Sequence, residues 1–459
     1  MNFYDTIAAL STPSGKGGVA VIRISGAEAV DVAEKVFFPK NKKKMSELAP
    51  NVMTYGDIMS GGETVDDGLT VVFKAPKSFT GEDTVEINCH GGIFITQKVL
   101  SAVFAAGARP AEAGEFTRRA YVNGKMGLSR AEALGSLLEA KSDEQLRIAR
   151  GALNGRIETA CGEIYQGLTN VLAQVYAKVD YPEEDLADMS ADEMKTELSA
   201  LLERISALKA TYRTGHAVVE GVRTVICGKP NVGKSSLYNC LVGRDAAIVT
   251  EHKGTTRDLL VETVSCGKVT LRLCDTAGIR ETSDEVERIG VERARAEMEN
   301  AELVLAVFDN SRPLDDEDFE ILDDIKQING AKIAIINKND ENSMIDCDKI
   351  SSSFDTVVKI CAKNSYNIEE LQKAVEILYI NEGIDTKRDA VLINARQNAS
   401  LERTEQHIKL AIEALELGMS ADVAGVDVEL AMAALSEIDG REVGEDIVSE
   451  IFSHFCVGK

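Results

Sequence analysis

Over residues 1–120 the apolar positions fall in short runs separated by turn residues. Thr6–Leu10 precedes the loop Ser11–Gly18, Val19–Ser25 alternates as a half-buried strand does, and the stretch after Gly26 has helical spacing. Leu69–Phe73 and Val85–Cys89 are further strands and Ile93–Ala106 a helix, so this part predicts an α+β domain. From Gly127 the period becomes helical and stays so, with glycine interruptions, to about Val179; Ser129–Glu132 reads as the capping box that opens it. Asp180–Glu193 is rich in acids, holds Pro182 and has no base, which predicts a solvated loop. Ser190–Glu193 then caps another helix running towards Tyr212.

Between residues 221 and 383 the pattern changes again, to short β-branched runs of the kind found in buried strands. They are Val222–Cys227, Leu259–Val264, Lys268–Cys274, Leu303–Phe308, Ile333–Ile336 and Val357–Ile360. Helical spacing returns from about Asp389 to Phe455. Helical segments therefore bracket an α/β domain, which is read here as one helical domain with the α/β domain inserted; two independent helical modules would give the same spacing. The expected divisions are 1–120, 121–220, 221–383 and 384–459.

The first α/β strand runs straight into Gly228-x-x-x-x-Gly233-Lys234-Ser235, and the helical pattern Ser236–Leu241 follows. That strand–loop–helix context marks a P-loop, whose glycines let successive N–H groups face phosphate oxygens at a helix N-terminus. Lys234 would reach the β- and γ-phosphates and Ser235 would hold Mg²⁺. Four further stations follow in the order a Ras-like GTPase needs. Gly254-Thr255-Thr256 precedes a strand and can complete Mg²⁺ coordination. Asp275-Thr276-Ala277-Gly278 closes the next strand, placing a carboxylate and a backbone N–H near the γ-phosphate. Asn337-Lys338-Asn339-Asp340 reads guanine through the Asp340 carboxylate, and Cys361-Ala362-Lys363 offers a main-chain N–H to guanine O6. Ile279 stands where Ras-type enzymes carry a water-orienting glutamine. By chemistry alone Glu281, Asp284, Glu285 and Glu287 are equal candidates to replace it.

Composition narrows the setting. The chain has 459 residues, 44% hydrophobic and 27% charged, which are globular values with room for about three domains. Its nine cysteines are scattered with no C-x-x-C pair, which suits reduced thiols in a cytoplasmic protein. No signal-peptide pattern or run of transmembrane length is present. A formal net charge of −24 repels polyanions, so any RNA must meet a local basic patch or a basic partner.

From Asp5-Thr6-Ile7-Ala8-Ala9 to Cys456-Val457-Gly458-Lys459 the chain resembles the tRNA-modification GTPase MnmE (TrmE) family. The landmarks are Gly17–Gly26, Ser78-Phe79-Thr80-Gly81-Glu82-Asp83, His90-Gly91-Gly92, Gly114–Ala120 and the closing C-x-G-K. The resemblance implies an N-terminal domain similar to tetrahydrofolate-binding domains, through which the protein forms a homodimer, and a helical domain carrying the inserted GTPase. It implies work with the FAD-binding protein MnmG to install a carboxymethylaminomethyl-type group at C5 of the wobble uridine of certain tRNAs. The cofactor implied is 5-formyl-tetrahydrofolate or methylene-tetrahydrofolate, and Arg23, Glu86, Lys125 and Lys459 match the family's folate contacts. The resemblance further implies potassium-stimulated hydrolysis. Asn231, Thr250, His252 and Thr255 match the K⁺ positions, and Glu287 the water-orienting residue. The GTP contacts carried over run through Asn231, Val232, Gly233, Lys234, Ser235 and Ser236, then Thr250, Glu251, His252, Lys253, Gly254, Thr255 and Thr256. Mg²⁺ falls to Ser235 and Thr256. The competing reading is a GTP-driven RNA-binding switch in ribosome assembly, which shares the P-loop but brings a basic RNA-binding module that this chain lacks.

Overall fold

The structure is a computed structural model, and it describes residues 5–180, 189–245, 262–274, 300–441 and 443–458. By contact density the chain divides into two compact units, Met1–Gly135 with Ser436–Lys459, and Ser136–Leu435. The expected division at 120/121 falls inside the helix Glu115–Val122.

In the first unit a seven-stranded sheet forms from β1 (Ile7–Leu10), β2 (Val19–Ser25), β3 (Phe37–Pro39), β4 (Thr54–Ser60), β5 (Glu63–Phe73), β6 (Thr84–His90) and β7 (Arg109–Pro110). Their spatial order is β3-β4-β5-β6-β2-β1-β7. Strand β2 alternates as its sequence predicts: Ala20, Ile22 and Ile24 enter the core, while Val21 and Arg23 face the other way. The helices Ala29–Glu34 and Ile93–Ala105 contribute Val30, Val32, Val99 and Val103 to the same core. Ser436–Lys459 supplies the helix Glu445–Ser453, whose Val448 and Phe452 pack with Leu128 and Ala131. The last residues return to the sheet. Val457 bridges to Ala113, and the Gly458 carbonyl accepts from Ser11 Oγ at 3.1 Å. Gly458 has φ +100°, and a Cβ there would lie 2.2 Å from the Leu10 carbonyl oxygen, so the glycine of C-x-G-K is dictated by close approach.

Helices come next, the first of them starting within the first unit, which runs to Gly135. The stretch expected to be helical from Gly127 is three helices, Leu128–Glu139, Asp143–Leu153 and Arg156–Asp180. Ser129, expected as the N-cap, lies instead inside the helix. The helix starts earlier because the Leu128 N–H donates to the Asp439 carbonyl, and Ser129 is buried inside the first turn. Ser190–Glu193 does cap the helix Ala191–Ala210 reciprocally, as expected. The acidic loop before it lies largely outside the described residues.

A second sheet, in the second unit, has six strands in the order β13-β12-β11-β8-β10-β9. They are β8 (Val222–Cys227), β9 (Glu262–Cys266), β10 (Val269–Leu273), β11 (Leu303–Asp309), β12 (Ala331–Asn337) and β13 (Thr356–Lys359). All neighbours are parallel except β9 with β10. All residues of β11 are buried, which is why its sequence is a continuous apolar run. Parallel strands bring the carboxyl ends of β8, β11 and β12 to one edge, the place where open α/β sheets bind ligands. Among the described residues no helix is long and apolar enough to cross a membrane.

Candidate nucleotide and folate sites

The P-loop occupies that edge. It leaves β8 through Gly228, turns at Asn231 with φ +62°, and enters the helix Lys234–Asp245. Gly233 has φ +102°, and a Cβ there would lie 2.0 Å from Asn337 Nδ2, so the loop passes against the end of β12 with no space for a side chain. The Lys234 ammonium donates to the Gly228 and Lys229 carbonyls at 2.7 and 2.8 Å, holding the side chain over the loop it follows. Asn231, Ser235 and Ser236 are exposed and Val232 is buried beneath them. An exposed hydroxyl at the head of a helix fits the oxygen-ligand preference of Mg²⁺.

Base-loop residues converge on the same place. Asn337, the last residue of β12, is 4% exposed. Its amide Nδ2 donates to the Val232 carbonyl at 2.9 Å, and its Oδ1 accepts from the Ala362 N–H at 2.9 Å. One side chain thus ties the P-loop to the loop after β13. Lys338 has φ +62° and its ammonium donates to Asp309 at 2.5 Å. Asp340 is exposed, and a hydrogen bond from the Cys361 thiol holds its carboxyl below the usual carboxylate range. Burial, with the Asp340 charge, pushes the thiol up. Only a main-chain contact was expected at position 361; the buried Cys361 side chain also lies beside Asp340. A cavity of about 680 Å³ opens beside these two residues and is also lined by Tyr366 and Asn367.

Asn231, Val232, Gly233, Lys234, Ser235, Ser236, Asn337, Lys338, Asp340, Cys361, Ala362 and Lys363 thus lie on the loops and adjoining element ends at one sheet edge. Thr250, Glu251, His252, Lys253, Gly254, Thr255, Thr256, Asp275, Thr276, Ala277, Gly278 and Glu287 lie outside the described residues, as does Lys459. Lys229 was missed in the sequence. It is buried within the P-loop and its ammonium pairs with Asp315, the N-cap of the helix Asp316–Lys326.

In the first unit Arg23 and Glu86 are cross-strand partners on β2 and β6. Arg23 Nε donates to Glu86 Oε1 at 2.8 Å, and both side chains are 20% exposed. The guanidinium lies 5.4 Å from the Phe79 ring centre and 5.6 Å from that of Phe116. Lys125 donates to the Pro76 carbonyl at 2.7 Å and packs against Gly81 in the loop that carries Phe79. A carboxylate and a guanidinium beside aromatic rings fit a flat heterocycle bearing donors and an anionic tail. The two aromatic rings were not singled out in advance, although both belong to landmark motifs.

Those motifs also carry a buried ionic network. Arg119, 1% exposed, donates to Asp5 Oδ1 at 2.8 Å, Glu115 Oε1 at 3.0 Å and Glu82 Oε2 at 3.1 Å. Burial opposes the Glu115 charge, but the Arg109 and Arg119 bonds outweigh it and hold that carboxyl below its usual range. The network joins Gly114–Ala120 to the Ser78–Asp83 loop, so these landmarks scaffold the Arg23–Glu86 pair.

Comparison with known proteins covers nearly the whole chain. Residues 6–125 match the family model for the GTP-binding protein TrmE N-terminus, and residues 128–456 match that for the MnmE helical domain. The tRNA modification GTPase MnmE of Clostridioides difficile (strain 630) is 39% identical over 457 residues, covering 99% of both chains. That of Lactococcus lactis subsp. cremoris (strain SK11) is 40% identical over 457 residues, again covering 99% of each. That of Lactiplantibacillus plantarum (strain ATCC BAA-793 / NCIMB 8826 / WCFS1) is 39% identical over 462 residues, with the same coverage. Family models over both parts of the chain and this identity over its length lead to one assignment: the chain belongs to the tRNA modification GTPase MnmE family.

Proposed function

We propose that this GTPase hydrolyses GTP at the β8–β11–β12 edge to drive modification at C5 of the wobble uridine of certain tRNAs, with MnmG as its FAD-dependent partner and a folate as one-carbon donor. The observation that carries the nucleotide part is Asn337, whose single amide joins the phosphate loop to the base loop. Lys234 binds the phosphates, and the exposed Asp340 accepts from the guanine N1–H and amine. Ser235 and Thr256 would hold Mg²⁺, with Asn231 and the carbonyls of Thr250, His252 and Thr255 holding K⁺. These cations, when bound, neutralise charge that develops on the phosphates. Glu287 orients the attacking water.

Arg23 and Glu86, paired with each other, bind one end of the folate, the carboxylate taking its ring donors, with Lys125 and Lys459 completing the set. The homodimer forms through the first unit, and the protein works in the cytoplasm. The net charge of −24 supports leaving most of the grip on tRNA to the partner. Hydrolysis measured in KCl and in NaCl, with wild type and Glu287→Ala, tests the catalytic assignment. Faster turnover in KCl, and a variant that binds GTP with most turnover lost, is the expected result. Equal rates in the two salts remove K⁺ from the mechanism, and undiminished turnover removes Glu287.

A further inference from the structure

The turn after β11 holds none of the residues assigned to nucleotide contact, yet it grips a lysine from each half of the site. Asp309, 7% exposed, accepts from Lys338 Nζ at 2.5 Å through Oδ2. Its Oδ1 accepts from the Ser311 N–H at 2.9 Å and Ser311 Oγ at 2.7 Å, so the carboxylate is fixed from both sides. Burial opposes the Asp309 charge, but the Lys338 and Ser311 bonds outweigh it and keep the carboxyl below its usual range. Asn310, 1% exposed, donates its N–H to the Asn337 carbonyl at 2.9 Å and locks the turn to the end of β12.

At its far end the turn reaches the P-loop. The Lys229 side chain is 7% exposed and pairs with Asp315, with Glu317 at 3.4 Å and Asp318 at 3.6 Å. Asp315 and Asp318 also form a reciprocal capping box, so backbone geometry fixes both carboxylates. A lysine has several rotatable bonds to order, and anchoring it beforehand removes that entropy from the binding step.

We infer that the segment Asp309–Asp318 is a positioning brace, with Asp309 pre-setting Lys338 for the base and Asp315 with Asp318 pre-setting Lys229 in the phosphate loop. Nucleotide affinity then depends on residues that touch no nucleotide. The inference rests on the reading of Asn337–Asp340 as the base loop.

The test uses the full chain, measuring kcat and KM for GTP and the dissociation constant of a fluorescent GDP analogue. The variants are Asp309→Asn, Lys338→Met and their double. Asp309→Asn should raise KM and the dissociation constant roughly tenfold, as loss of a charged hydrogen bond implies, with kcat within about twofold. On the Lys338→Met background the same change should add less than about twofold, since the group it acts through is gone. An equal cost in both backgrounds, or a fall in kcat at unchanged KM, overturns the brace. If Asp309→Asn does not fold, Asp315→Asn against Lys229→Met carries the same cycle, because asparagine also caps helices well. Asp340→Asn separates the underlying reading, since it should move preference from GTP to xanthosine triphosphate. A variant that still prefers GTP sinks the base-loop assignment, whatever Asp309 does.

Discussion

Replacing Asn337 with alanine removes two hydrogen bonds at once from a side chain that is 4% exposed. The Val232 carbonyl and the Ala362 N–H are left without that partner in a site closed to water. Each stranded buried group costs about 1–3 kcal/mol, so the pair implies a loss of about 2–6 kcal/mol, felt as instability and as slack between the two loops. Asn337→Asp is the sharper probe. It keeps an acceptor for Ala362 but sets a second oxygen against the Val232 carbonyl, so it should be at least as damaging as alanine. Guanine-nucleotide affinity by titration of a fluorescent analogue, with urea midpoints for the same variants, separates slack from unfolding. Both variants should lose affinity at least about tenfold at urea concentrations where they remain folded. If alanine binds as wild type does, or aspartate restores affinity, Asn337 does not link the loops.

Two further expectations concern the scaffold. His216 donates to Glu220 and Glu302; burial opposes its charge, but these bonds outweigh it and raise its pKa from 6.5 to about 9. A raised folded-state pKa stabilises fully below pH 6.5 and the contribution disappears as pH rises through about 9. The unfolding free energy from urea titrations should therefore fall across that window by about 2 kcal/mol in wild type and stay flatter in His216→Gln, and parallel profiles would refute the assignment. Arg119→Met should cost about 3–5 kcal/mol, because Glu115, Glu82 and Asp5 lose a cation inside the fold. An unchanged denaturation midpoint would show that the network is not held together by that arginine.

Much of this was legible in the sequence where one signal sufficed. Strands β8, β11 and β12 are apolar runs because parallel central strands are buried on both faces, and the P-loop follows from its flanking elements. Strand β4 was not legible. Gly56 interrupts its pattern, and the reason is tertiary: a Cβ there would lie 2.5 Å from the Phe37 ring. The helix start at Leu128 depends on the Asp439 carbonyl, far away in the chain, and Ser129-x-x-Glu132 imitates a cap that this contact makes unnecessary. Lys338 and Asp340 were legible as a motif, but Asn337's two partners stand 105 and 25 residues away and no local pattern records them. The Lys229–Asp315 pair is hidden likewise, because an acidic turn after a strand looks like any solvated loop.

Hydrolysis at this nucleotide site is proposed to drive modification of tRNA. Nucleoside mass analysis of total tRNA from a strain lacking the gene, restored with wild type or with Glu287→Ala, tests it most directly. C5-substituted wobble uridines should vanish on deletion and return with the wild type alone. Their survival in the deletion strain, or their full return with Glu287→Ala, would contradict it.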